Sequence, residues 1–187
     1  MKINPVQENI LRTASTLFYQ NGYNRTGINE IIREAGIAKA TLYHHYKSKE
    51  DIFIAYLRSQ HTQFDRDIQR FVMNYPVGPE RLTALFDYLL QFYSSAEFNG
   101  CWCINSIAEV SRDNQRVYGE IQRQKNDLIQ FIKSLILETK ATISEIEAKA
   151  LARQIYVLYE GAVAESNLQK EKWPIESARS LCQQIVT

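Results

Sequence analysis

Residues 26–49 read TGINEIIREAGIAKATLYHHYKSK, and this stretch decides the fold. Ile28, Ile31 and Ile32 share one face of a short helix from Ile28 to Ala35, with Thr26 placed to cap it. Ala35-Gly36-Ile37-Ala38 makes a tight turn in which Ile37 is placed to pack between two helices. A second short helix follows from Lys39 to Tyr46, anchored by Leu42 and Tyr46. Its other positions are Lys39, Ala40, Thr41, Tyr43, His44 and His45. Helix, glycine turn and helix are the plan of a helix-turn-helix. A helix of this size fits a DNA major groove, which is about 12 Å wide. Small residues at its start let the backbone approach the bases. Thr41 has the chemistry to donate, accept or touch a thymine methyl, and Tyr43, His44 and His45 carry donors for phosphates or base edges.

Each of these residues also has a plainer use. Lys47 and Lys49 serve as solvated charges, Tyr43 as core beside Leu42 and Tyr46, and His44-His45 as polar surface. A helix-turn-helix also occurs as a bare packing motif in all-α proteins. Taken alone, the residues leave both uses open.

The flanks continue in helical register. Val6, Ile10, Ala14, Leu17 and Phe18 make one apolar stripe from Pro5 to Asn21, which Gly22 ends. Ser48-x-x-Asp51 is a capping-box-like start for a fourth helix with Ile52, Phe53, Tyr56, Leu57, Phe64, Ile68 and Phe71 on its apolar face. Asn74-Tyr75-Pro76-Val77-Gly78-Pro79 breaks the chain. Leu82, Leu85, Phe86, Leu89, Leu90 and Tyr93 then form another stripe, and Asn99 is placed to cap a helix running to Val110. Further helices are expected at about 113–138, 144–169 and 175–186, with Ser144 and Trp173-Pro174 marking starts. No segment alternates at period two and no repeat is evident, so the fold class is all-α with about nine helices.

Charge is distributed unevenly. The formal net charge is +1, yet residues 1–50 hold seven Lys/Arg against four acids, and Gly36 to Lys49 holds three lysines and no acid. A basic segment on a near-neutral chain suits a small DNA-reading module joined to something else. The expected division is a helix-turn-helix domain over residues 1–50 and a ligand-binding and dimerisation domain over 51–187.

Residues 10–57 resemble the DNA-binding region of the TetR family. The resemblance runs through Ile10-Leu11, Ala14, Leu17-Phe18, Gly22-Tyr23, Thr26, Ile31-Ile32, Ala35-Gly36-Ile37-Ala38-Lys39, Leu42 through Glu50, and Leu57. It implies a nine- or ten-helix fold. The first three helices and the start of the fourth bind DNA, the rest encloses a ligand pocket, and the last two long helices dimerise. Position by position, Lys39, Ala40 and Thr41 match the base-facing start of the recognition helix, and Tyr43, His44 and His45 match its groove and phosphate contacts. Thr26 and Lys49 match phosphate contacts, the latter at a helix N-terminus that itself favours an anion. The implied partners are a double-stranded DNA operator, a small-molecule effector and a second copy of the chain. The implied action is repression of a near-palindromic site, relieved when effector binding shifts the fourth helix and separates the recognition helices.

The second half carries one distinctive segment, Gly100-Cys101-Trp102-Cys103-Ile104-Asn105-Ser106-Ile107-Ala108-Glu109. It resembles a Gly-Cys segment of one TetR subgroup, some members of which sense electrophiles or oxidants through the cysteine. A cap at Asn99 would put Cys101 in the first helical turn, where the dipole favours a thiolate. Against this, buried cysteine is a common core residue, and the neighbours in sequence are the acids Glu97 and Glu109, which raise a thiol pKa. Packing and sensing both stand. Cys103 makes a pair conceivable but strained. Trp102, Asn105, Tyr156 and Tyr159 are candidate effector-lining residues, although aromatics at helical spacing also serve as plain core. Ile146, Ala150, Gln154, Val157, Gly161 and Ala164 share one helix face, and Ala178, Leu181, Cys182 and Ile185 another. These faces suit a four-helix bundle between two copies, or packing within the chain.

Composition limits the alternatives. The 187 residues are 45% hydrophobic and 23% charged, an ordinary globular balance. No run of about 18 apolar residues predicts a membrane span, and the first residues lack a signal peptide's apolar stretch, so a cytoplasmic location is expected. Three cysteines, one C-x-C pair and the distant His44, His45 and His61 predict neither a disulfide framework nor a metal site, and no cofactor is expected. No nucleophile elbow, P-loop, dinucleotide glycine pattern or metal-binding helix motif is present, which leaves an enzyme using Cys101 and a distant histidine as a remote alternative.

Overall fold

The computed structural model describes residues 4–95, 98–140 and 142–186. Among the described residues the chain is all-helical. The helices are α1 (Pro5–Asn21), α2 (Ile28–Glu34), α3 (Lys39–His45), α4 (Lys49–Val72), α5 (Pro79–Tyr93), α6 (Trp102–Glu109), α7 (Gln115–Thr139), α8 (Glu145–Gln169) and α9 (Trp173–Val186). None of them is long and apolar enough to cross a membrane.

Local signals set most boundaries. Asn4 caps α1, its Oδ1 accepting from Val6 N at 2.9 Å, and Pro5 opens the helix. Gly22 ends α1 at φ +84. Ser48 Oγ accepts from Asp51 N at 3.1 Å at the start of α4. Ser144 and Glu147 form a reciprocal capping box at α8. Two expected starts are corrected. Gly27, not Thr26, is the N-cap of α2, and Glu30 Oε2 accepts from its N–H at 3.3 Å. α6 begins at Trp102 rather than after Asn99, because Gly100 takes φ +73 and interrupts the helix there. Cys101 therefore precedes α6 instead of lying in its first turn.

The chain forms two compact units whose boundary differs from the expected division at residue 50. One comprises the residues to Thr62 together with Trp102–Ile121; the other comprises Gln63–Cys101 and Gln122–Thr187. In the first, Ile10, Ala14, Phe18, Ile31, Leu42, Ile52, Phe53, Tyr56 and Leu57 are buried, and the Phe18 and Phe53 rings meet edge-on at 5.0 Å. A fully buried side chain of this size contributes roughly 1.5–3 kcal/mol. In the second, Ile68 and Val72 of α4 join Leu82, Leu85, Phe86 and Leu89 of α5, with the inner faces of α7, α8 and α9. Phe86 and Tyr159 meet in this core with ring centroids 5.8 Å apart. Arg179 grips Asp87 through two hydrogen bonds of 2.6 and 3.2 Å, and Arg81 donates to Glu138 at 2.8 Å.

Candidate functional site

α3 is held by its inner face and open on the other. Leu42 is fully buried and Tyr46 nearly so, while Lys39, Ala40, Tyr43 and His44 are exposed and Thr41 and His45 half-buried. Tyr43 is thus surface and not core. The turn before α3 is set by Gly36 at φ +64, a conformation that costs a residue with a Cβ about 1–2 kcal/mol. Ala38 provides no side-chain cap to α3.

Thr26 departs from expectation. It is 0% exposed, and its hydroxyl donates inward, to Gly22 O at 2.8 Å and Leu17 O at 3.2 Å. The side chain ties the α1–α2 connection to the end of α1, so its hydroxyl is not offered to a phosphate. Lys49 is half-buried, with its ammonium 4.2 Å from the centroid of the Tyr23 ring. Burial lowers its pKa, and the charge of Glu109 acts the other way.

The helix-turn-helix and the start of α4 are tied to residues far along the chain. Glu109, at the end of α6, accepts from Asn24 N at 2.7 Å through Oε2, and its carbonyl accepts from Asn24 Nδ2 at 2.8 Å. Arg116 donates to Glu50 and, at 2.8 Å, to Asp51, while Asn114 Nδ2 reaches Glu50 Oε2 at 2.8 Å. Arg116 holds the Asp51 carboxyl below its ordinary range. Arg58 of α4 donates to the buried Glu120 at 3.0 Å. None of these pairings has a local sequence signal, since 62 to 85 positions separate the partners. Only buried polar residues in an apolar helical register, such as Glu120 beside Val117 and Ile121, hint at a partner elsewhere.

The candidate effector residues are not gathered into one unit. Trp102 and Asn105 belong to the unit with the helix-turn-helix, and Tyr156 and Tyr159 to the other. Trp102, Asn105 and Tyr156 are half-buried, whereas Tyr159 is core, its phenol pushed well above the ordinary value by burial.

Cys101 has neighbours that its local sequence does not reveal. Lys125 Nζ donates to Cys101 Sγ at 3.0 Å and to Glu160 Oε1 at 2.6 Å. Of the two acids near it in sequence, Glu97 lies outside the described residues; the fold adds an ammonium at the thiol. The available signal was Lys125 itself, four residues after buried Ile121 and three before buried Leu128. Cys103 and Cys182 are both buried, and burial pushes the Cys182 thiol up to about 12. The three histidines all fall in the other unit from Cys101.

The α8 face expected at a dimer contact is uncovered along its length. Ile146, Ala150, Gln154, Val157, Gly161 and Ala164 are all exposed, as is Leu168. The α9 stripe divides: Ala178 and Cys182 pack inward, leaving Leu181 and Ile185 exposed.

Residues 10–56 match the family model of bacterial regulatory proteins of the tetR family, and residues 78–182 match the tetracyclin repressor-like C-terminal domain. The chain is 22% identical to the HTH-type transcriptional repressor NemR of Escherichia coli K12, over 96% of this chain and 93% of NemR. It is 24% identical to the icaADBC negative transcriptional regulator IcaR of Staphylococcus aureus, over 94% and 91% of the two chains. The fold is shared with SCO4454, a TetR-family regulator of Streptomyces coelicolor, at 22% identity, with a TM-score of 0.87 and 98% and 89% coverage. It is shared too with the reduced form of E. coli NemR at 21% identity, with a TM-score of 0.88 and 98% coverage of each chain. With the helix-turn-helix and the helical C-terminal part both matched, the chain belongs to the TetR family of bacterial regulatory proteins.

Proposed function

We propose that this DNA-binding regulator is a homodimeric, ligand-responsive repressor. The observation that carries the reading is the exposed outer face of α3, presented on a buried Leu42–Tyr46 anchor. Lys39, Ala40 and Thr41 face base edges, Tyr43, His44 and His45 contact groove walls and phosphates, and Lys49 reaches a phosphate as α4 begins. The uncovered apolar faces of α8 and α9 pair with those of a second copy. Pairing sets two recognition helices on half-sites about 34 Å apart or somewhat more. An effector that binds the DNA-free arrangement better than the DNA-bound one releases the operator, and operator DNA weakens effector binding by the same factor. NemR and IcaR, named as a repressor and a negative regulator, support repression as the direction of control. The test is a titration on DNA from the gene's own promoter. Lys39→Ala combined with Tyr43→Ala is expected to lose specific binding; retained affinity removes the site assignment.

A second reading keeps the same scaffold and makes Cys101 the sensor, its covalent modification taking the place of a reversible effector. The Lys125 ammonium beside the thiol favours it. Cys101→Ser is then expected to hold the operator after exposure to an alkylating agent that releases the wild type. Release of both proteins alike excludes this reading.

A further inference from the structure

α4 opens with Lys49, Glu50 and Asp51 in succession, so the residue expected at a phosphate is followed directly by two carboxylates. Acids in a first turn suit the helix dipole, and Asp51 also exchanges hydrogen bonds with Ser48, Asp51 N donating to Oγ at 3.1 Å and Oγ donating to Asp51 Oδ2 at 2.9 Å. They do not suit a polyanion, which a like charge beside its contact repels. Glu50 is close to that contact. Its charge adds to burial in raising the Tyr23 phenol, and the Lys49 ammonium lies 4.2 Å from the centroid of the same ring.

A cation for both carboxylates comes from the start of α7. Arg116 donates through one terminal nitrogen to Glu50 Oε1 and through the other, at 2.8 Å, to Asp51 Oδ1. Asn114 works in two directions: its Nδ2 donates to Glu50 Oε2 at 2.8 Å, and its Oδ1 accepts from Val117 N at 3.0 Å in the first turn of α7. The side chain that caps α7 thus also holds Glu50. These residues all belong to the unit with the helix-turn-helix, although 64 to 66 positions separate the partners. The Glu50 and Asp51 side chains are 26% and 28% exposed and that of Arg116 is 61% exposed, so the outermost charge of the group is the positive one. Ion pairs this open to water add little to stability. They do alter the field that an approaching anion meets.

We propose that Arg116, far outside the helix-turn-helix in sequence, is a positioning residue for DNA binding, masking Glu50 and Asp51 so that a phosphate approaches Lys49. Arg116 acts through the two carboxylates and not by a contact of its own with DNA. With the guanidinium removed, a phosphate at Lys49 meets two bare like charges within about one Debye length, about 10 Å at 0.1 M salt. The effect falls on phosphates, which carry no sequence information, so it changes affinity for any duplex alike. The proposal rests on the reading of Lys49 as a phosphate contact, and the experiment tells the failure of one from the failure of the other.

The experiment measures binding of the full-length protein to DNA from the gene's own promoter and to an unrelated duplex, by fluorescence anisotropy at low and high salt. Arg116→Met is expected to weaken binding to both duplexes by about tenfold at low salt, and by less at high salt. Arg116→Lys keeps the charge without the fork and is expected to recover most of the affinity. Glu50→Gln combined with Asp51→Asn removes what Arg116 masks. That pair is expected to bind at least as tightly as the wild type, and Arg116→Met added to it to cost little more. A loss in Arg116→Met that persists in this background, persists at high salt or falls on the promoter duplex alone would mean a direct contact or a displaced helix-turn-helix, and overturns the masking role. Unchanged affinity in Arg116→Met overturns it too. Lys49→Ala separates the two readings. If it keeps full affinity, the phosphate contact is lost and the inference with it; if it weakens binding while Arg116→Met does not, only the role of Arg116 falls.

Discussion

α3 and α8 each present a face that their own unit leaves uncovered, and the two faces differ in kind. On α3 the open positions are Lys39, Ala40, Tyr43 and His44. On α8 they include Ile146 at 83% exposure, Val157 at 65% and Leu168 at 71%. A polar face is at ease in water and gains from phosphates and base edges. An apolar face loses about 25 cal/mol for every Å² left wet, and is satisfied only by another apolar surface. The same fold thus leaves open two faces of opposite chemistry, one polar and one apolar.

The largest effect should come from breaking the apolar face. Val157→Glu is expected to give a monomer by light scattering with a melting temperature close to wild type, because the position is exposed in the single chain. Operator affinity should fall by about 10²–10⁴, the advantage of joined binding modules. A dimer that survives this change moves the association surface elsewhere.

Gly22→Ala should come next, and acts on the tie between Glu109 and Asn24. Gly22 has φ +84, and an added Cβ would lie 2.0 Å from Glu109 Oε1. The substitution combines backbone strain with displacement of Glu109 from Asn24, for a cost of about 1–3 kcal/mol in thermal or urea unfolding. Thr26→Val removes a buried hydroxyl whose acceptors are two backbone carbonyls, and should cost a comparable roughly 1–3 kcal/mol. Lys39→Ala makes the informative contrast. Its expected effect is weaker operator binding at unchanged melting temperature, with the salt slope reduced by about one if Lys39 also neutralises a phosphate. Thr26→Val loses stability without altering that slope.

The smallest effect is pH-dependent. Arg116 lowers the Asp51 pKa, so the contribution is present above the unfolded carboxyl value and is lost as pH falls through the lower folded value. Arg116→Ala should therefore melt slightly below wild type at neutral pH. The two curves should converge in acid once Asp51 is protonated, as differential scanning calorimetry across pH would record.

Much of the molecule was legible residue by residue. Gly22 and Ser48 marked a stop and a start where the helices end and begin, and Ser144 announced the capping box of α8. These signals act over four residues or fewer, so neighbouring letters contain them. The misreadings were also local. Thr26 resembles a cap by type, but Gly27 holds that position and the threonine turns inward. Asn99 is a plausible cap by type, but Gly100 adopts a left-handed backbone and delays α6. The α9 stripe was right as a helical period and wrong as one surface, because periodicity cannot say which side of a stripe meets the core and which is left outside.

The amino-acid order by itself determined an all-helical chain with a helix-turn-helix near its start, since caps, breakers and apolar period are properties of adjacent residues. Tertiary structure alone decided that residues 102–121 stand with the DNA-binding unit, that the α8 face is left open, and that Lys125 meets both Cys101 and Glu160. Those pairings join residues 24 and 35 positions apart, and such distances close only when whole helices pack.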